Sequence, residues 1–108
     1  MTATIATISI PRGNTRAFTI NVATEAALEG YDVQLMVKQK ATDTEYLILK
    51  ETTIASSSAT IEFTEQDTDL EPEYYVYDVK IFDGVGVAIY NSPIGVFEIA
   101  GVVNGRPN

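Results

Sequence analysis

Asp67, Asp69, Glu71 and Glu73 fall at every second position, with Asp78 further on. Carboxylates at that odd-numbered spacing form the donor set of a calcium loop, which surrounds a hard cation with about 6–8 oxygen ligands. The sixth position of such a loop requires Gly for a sharp turn. Pro72 stands there instead, and its fixed φ cannot take that conformation. The other reading is an acidic corner in water, with Asp67 or Thr68 capping a short helical turn. Tyr74, Tyr75 and Tyr77 offer a second chemistry, because aromatic rings on a sheet face make good contacts to sugars and peptides. Tyr75 and Tyr77 share an inward register, so Tyr74 is the ring left to face a partner. Thr52 and Thr53 complete the candidates for partner contact. They open a Ser/Thr-rich stretch, Thr52 to Thr60, with few charges to block pairing along a strand edge.

Catalysis has little to work with. The chain contains neither His nor Cys, so it lacks the commonest acid–base group, the thiolate nucleophile and most transition-metal ligands. Its many Ser and Thr residues have no partner base in a recognisable motif. Two carboxylates could serve a glycosidase, but a sandwich this small offers no deep cleft to position a sugar. The turns Arg12-Gly13-Asn14 and Asp83-Gly84-Val85-Gly86 do not precede a helix that could hold a phosphate. We therefore assign no catalytic, cofactor-binding or metal residue, and expect no cofactor.

Seven basic residues against fifteen acidic ones give a net charge of −8, which repels phosphate backbones and anionic lipids alike. Nucleic acid and membrane surfaces are not expected partners. The amino terminus, MTATIATISIPRG, has no charged segment followed by a long apolar core and reads as mature structure. No run approaches the roughly 20 apolar residues needed to cross a bilayer.

The elements follow from side-chain period. Ile8 and Ile10 alternate with Thr7 and Ser9 in a first strand over Thr4–Ile10, which Pro11 confines to an edge or bend. Phe18, Ile20 and Val22 share one face of a second strand, and Ala23 to Gly30 is a short connection able to form a helical turn. Val33, Leu35 and Val37 point inward from a third strand, and Tyr46 to Lys50 reads as a fourth. Ile61 and Phe63 face inward before the acidic corner, and Tyr75, Tyr77, Val79 and Ile81 after it. Leu70 anchors that corner and Pro72 bends it. A Tyr shortly after such a bend, its ring inward and its hydroxyl on backbone upstream, is how immunoglobulin-like domains turn from one sheet to the other. Asp83 to Gly86 closes a hairpin into a last strand that Ser92-Pro93 breaks into two halves. These signals predict an all-β chain, an immunoglobulin-like antiparallel β-sandwich of about seven strands. Residues 1–102 form one domain and 103–108 a loose tail.

The order of motifs adds a resemblance. Ile10-Pro11-Arg12-Gly13-Asn14-Thr15, then Asp32 through Lys38, then Phe63-Thr64-Glu65-Gln66-Asp67-Thr68, Leu70 and Tyr75-Val76-Tyr77-Asp78-Val79 resemble the immunoglobulin-like sandwich of tailed-phage and prophage baseplate proteins, including the amino-terminal domain of baseplate upper proteins. The likeness spans roughly residues 8 to 99. Glu73 departs from it where the family has Gly before the Tyr pair, and Met36 departs from its strand pattern. The resemblance implies a non-enzymatic virion part, assembled in the host cytoplasm, whose partners are other tail proteins and further copies of itself. The competing class is a bacterial adhesion or carbohydrate-binding module working through Tyr74 and the acidic corner.

Overall fold

Alternating side chains decide which face of each strand turns inward, and burial follows that alternation. The computed structural model describes residues 2–3, 6–23, 30–55 and 58–103. These contain nine strands and no helix: β1 (Thr2–Ala3), β2 (Ile8–Pro11), β3 (Arg16–Ala23), β4 (Asp32–Lys38), β5 (Ile48–Thr53), β6 (Ser58–Phe63), β7 (Glu73–Phe82), β8 (Ala88–Asn91) and β9 (Gly95–Ala100). Val33, Leu35 and Val37 of β4 are buried, as are Ala59, Ile61 and Phe63 of β6 and Tyr75, Tyr77, Val79 and Ile81 of β7. Nine stand where about seven were expected, because a short β1 precedes the first expected strand and the last runs as two halves, β8 and β9, as Ser92-Pro93 implies.

One sheet has the order β1-β3-β6 and the other β2-β9-β7-β4-β5, with β8 also paired to β7. The pairs are antiparallel except one. β2 runs parallel to β9, with Ile8 opposite Phe97 and Ile10 opposite Ile99. The two-sheet all-β sandwich expected from the sequence is present, with this one parallel pair contributed by the amino-terminal strand. The strand expected over Thr4–Ile10 is β2, Ile8–Pro11, in the large sheet, and β1, Thr2–Ala3, which precedes the expected strand, pairs with β3 in the small one. Residues 4–5, residues 24–29 of the connection expected over Ala23 to Gly30, and residues 104–108 of the tail expected over 103–108 lie outside the described residues.

The fourth strand is also displaced. It runs over Ile48–Thr53 rather than Tyr46–Lys50, because β4 offers it a ladder from Val37 opposite Ile48 to Asp32 opposite Thr53. Tyr46 and Leu47 are left exposed before it. Between the sheets, rings from both sides meet edge-on: Phe63 and Phe97 lie 5.3 Å apart, and Tyr77 sits 6.5 Å from both Phe18 and Phe97.

Candidate functional site

The corner between β6 and β7 opens with a reciprocal cap. Thr64 N donates to Asp67 Oδ2 at 2.8 Å, and Asp67 N donates to Thr64 Oγ1 at 3.2 Å. Thr64 is thus the cap, correcting the assignment to Asp67 or Thr68. Thr68 is fully buried, and its hydroxyl donates 2.7 Å to Asn14 O, in the turn after β2. That turn answers in kind. Gly13 N donates to Thr68 O at 3.3 Å, with Gly13 at φ 79°, a conformation Gly takes without strain. Arg12 Nε reaches Asp69 Oδ1 at 3.0 Å and Arg12 Nη1 reaches Glu71 Oε1 at 3.7 Å.

Each remaining carboxylate faces a different neighbour. Lys50 Nζ meets Asp67 Oδ2 at 2.5 Å, Gln39 Nε2 donates 2.9 Å to Glu73 Oε1, and Asn91 Nδ2 donates 3.0 Å to Asp78 Oδ2. The alternation that suggested a calcium loop therefore turns its side chains to different partners: Arg12 for Asp69 and Glu71, Lys50 and Thr64 for Asp67, Gln39 for Glu73 and Asn91 for Asp78. Among the described residues no three acidic side chains gather where a metal ion could sit. Burial alone would raise the Asp67 carboxyl, but hydrogen bonds from Lys50 and from the Thr64 backbone and hydroxyl, with the Lys50 charge, hold it below its ordinary 3.8. The corner carboxylates hold turns together.

Tyr75 completes the corner as expected: its ring is buried and its hydroxyl donates 2.7 Å to Glu71 O. Burial first, then the nearby charges of Glu73 and Glu71, raise its hydroxyl above the ordinary 10.0, with Arg12 working the other way. Tyr77 does something the sequence did not announce. Its hydroxyl donates to Ala6 O and accepts from Ala6 N at 3.2 Å, fastening the chain where it passes from β1 to β2. Burial raises this hydroxyl too, partly offset by the Ala6 hydrogen bond.

The partner-contact candidates separate. Tyr74 is 70% exposed on the outward face of β7. Thr52 lies opposite Val33, turned inward and half-buried, and so is poorly placed for a partner. Thr53 is exposed and donates 3.3 Å to Asp32 Oδ1. Asp32 stands opposite Phe82, at the far end of β7 from Tyr74, so the candidates form no common site. A groove of about 200 Å³ lies on the same outward face, lined by Gln34, Met36, Lys38, Val76, Asp78 and Lys80 among others. That is below the roughly 300 Å³ at which ligand pockets begin.

Two further groups escaped the sequence reading. Lys50 occupies an inward position of an edge strand, a signal visible once β5 is set in register. Ser92 is buried at the break in the last strand, where its Oγ accepts 2.9 Å from Val79 N and donates 2.9 Å to Pro93 O. Compared with known proteins, the chain matches no family model and no curated sequence.

Proposed function

We propose that this chain is a non-enzymatic structural part of a tailed-phage or prophage virion, a tail or baseplate module acting through protein–protein contacts. One observation carries the reading. Two of the motifs that carry the resemblance, the one with Arg12-Gly13-Asn14 and the one running from Phe63 through Thr68 to Leu70, are far apart in sequence yet form a single joint through Arg12–Asp69, Gly13–Thr68 and Thr68–Asn14. A shared joint gives those motifs a common physical cause, which is what a family likeness requires. The joint also commits the acidic corner to holding the turn after β2. What it leaves uncommitted is surface, and that surface includes apolar side chains that favour protein contact.

The partners in this reading are other tail proteins and further copies of the chain, met inside the host and retained in the particle. Antibody labelling of density-purified particles from cells that encode the chain tests it. Label on tails is the expected result. A chain confined to the soluble cell fraction, with no particle-bound pool, overturns the reading.

The exposure of Tyr74 favours a second reading, an adhesion or carbohydrate-binding module, since this ring stands out from a sheet face beside Val76 and Glu98. That reading predicts glycan-array binding that Tyr74→Ala abolishes.

A further inference from the structure

Alternation gives the outward face of the large sheet a repeat of two residues, and the register of β4 against β7 sets its side chains beside one another in levels. Lys38 stands opposite Val76 at one end, Met36 opposite Asp78 in the middle, and Gln34 opposite Lys80 at the other end. All six line the groove of about 200 Å³, with the exposed Ile94 beside them. Strand rise puts the two lysine levels about 13 Å apart. Lys38 and Lys80 are both half-buried, and among the described residues neither is paired with a carboxylate, although acidic side chains outnumber basic ones fifteen to seven. Asp78, between them, is taken by Asn91.

We propose that this groove holds an extended segment of a partner protein, with carboxylates of the segment on Lys38 and Lys80 and an apolar side chain between them over Met36. The inference rests on the proposal that the chain works by protein contact, and names the surface and the partner's chemistry. Volume, period and charge select the occupant. The groove is too small to enclose a ligand, so what fits is side chains projecting from a chain that lies across the sheet. An extended chain also repeats every two residues, so its first, third and fifth side chains meet the three levels in turn. Acidic, apolar, acidic is the order that complements them. Asp78 opposes a third negative charge at the middle level, which separates this pattern from an even polyanion such as nucleic acid. The net charge of −8 repels an acidic segment at a distance, but physiological salt screens each charge beyond about 8 Å. The two ammoniums therefore decide what settles directly over them.

Titration of the isotope-labelled full chain with a capped Glu-Thr-Leu-Thr-Glu peptide, followed by NMR, tests this. The expected result is a saturable shift of the amide signals of Met36, Lys38, Val76, Asp78 and Lys80, with the acidic corner unmoved. Lys38→Gln and Lys80→Gln should each weaken binding by roughly two- to fivefold, the contribution of one exposed ion pair, with unchanged far-UV circular dichroism. Arg16→Gln, on β3 in the other sheet, removes the same charge and should leave binding unaltered. Glu-Thr-Glu-Thr-Glu and Lys-Thr-Leu-Thr-Lys should both bind more weakly than the first peptide. The absence of a saturable shift in the groove overturns the inference, as does binding that ignores both lysine substitutions or is as tight for either control peptide. An oligonucleotide that moves the same signals as strongly overturns it too. Each of these failures leaves the virion reading standing, because particle labelling tests that separately.

Discussion

Tyr75 and Tyr77 project from the same face of β7, yet their hydroxyls hold different parts of the chain. Tyr75 fixes the corner four residues upstream, and Tyr77 fastens Ala6 across the sandwich. Tyr75→Phe leaves Glu71 O without its donor and should cost about 1–3 kcal/mol, measured by denaturant unfolding. Tyr77→Phe orphans both backbone groups of Ala6 and should cost at least as much. Titration extends the argument. Both hydroxyls have folded pKa values raised above 10.0, so their contribution is complete below about pH 10 and is lost as pH rises through the folded values. The melting temperature of the native chain should fall on that limb, and the Tyr75→Phe, Tyr77→Phe double variant should show a flatter one. Asp67 has the opposite sign. Its folded pKa lies below 3.8, so its contribution is present above that value and fades as pH falls through the lower folded one. Asp67→Asn should therefore reduce the dependence of stability on pH at the acid end. The Tyr75 role was legible because a Tyr just after a bent acidic corner is a local pattern. The Tyr77 role was not, since its partner Ala6 lies 71 residues away and bears no side-chain signal.

At the scale of elements, joints matter more than ion pairs. Arg12 is drawn to two exposed carboxylates, and such surface pairs contribute little, so Arg12→Ala should cost less than about 1 kcal/mol. Thr68→Val removes a buried hydroxyl and strands Asn14 O, and should cost about 1–3 kcal/mol. Ser92→Ala should cost a similar amount by leaving the Val79 N–H without its acceptor inside the sheet. Equilibrium unfolding of the three variants orders them. The opposite ranking, with Arg12→Ala the most damaging, would mean that the corner is held by charge. Period alone located β4, β6 and β7, because each alternates without interruption over a half-buried length. It could not orient Leu47-Ile48-Leu49, apolar on both faces, and pairing with β4 decided both register and limits. The Thr2–Ala3 strand in the other sheet was equally hidden, since two residues carry no period.

For the whole molecule, the candidate site in the sequence and the surface in the structure are different places. Acidic residues drew attention to the corner, where the fold ties them to Arg12, Lys50 and Gln39. Lys38 and Lys80 read in sequence as ordinary outward positions of two strands. Their meeting in one groove appears only once β4 is set in register against β7. Two sheets, 46 Å along the longest axis, then carry exposed apolar side chains on a strongly acidic body. The most direct measurement of whether the chain works by contact is photo-cross-linking in purified particles, with a photoreactive residue placed at Met36 or at Glu71. A cross-link to another particle protein from the groove at Met36, and none from the corner at Glu71, is the predicted result. No cross-link from either position, or one from the corner alone, would contradict the account.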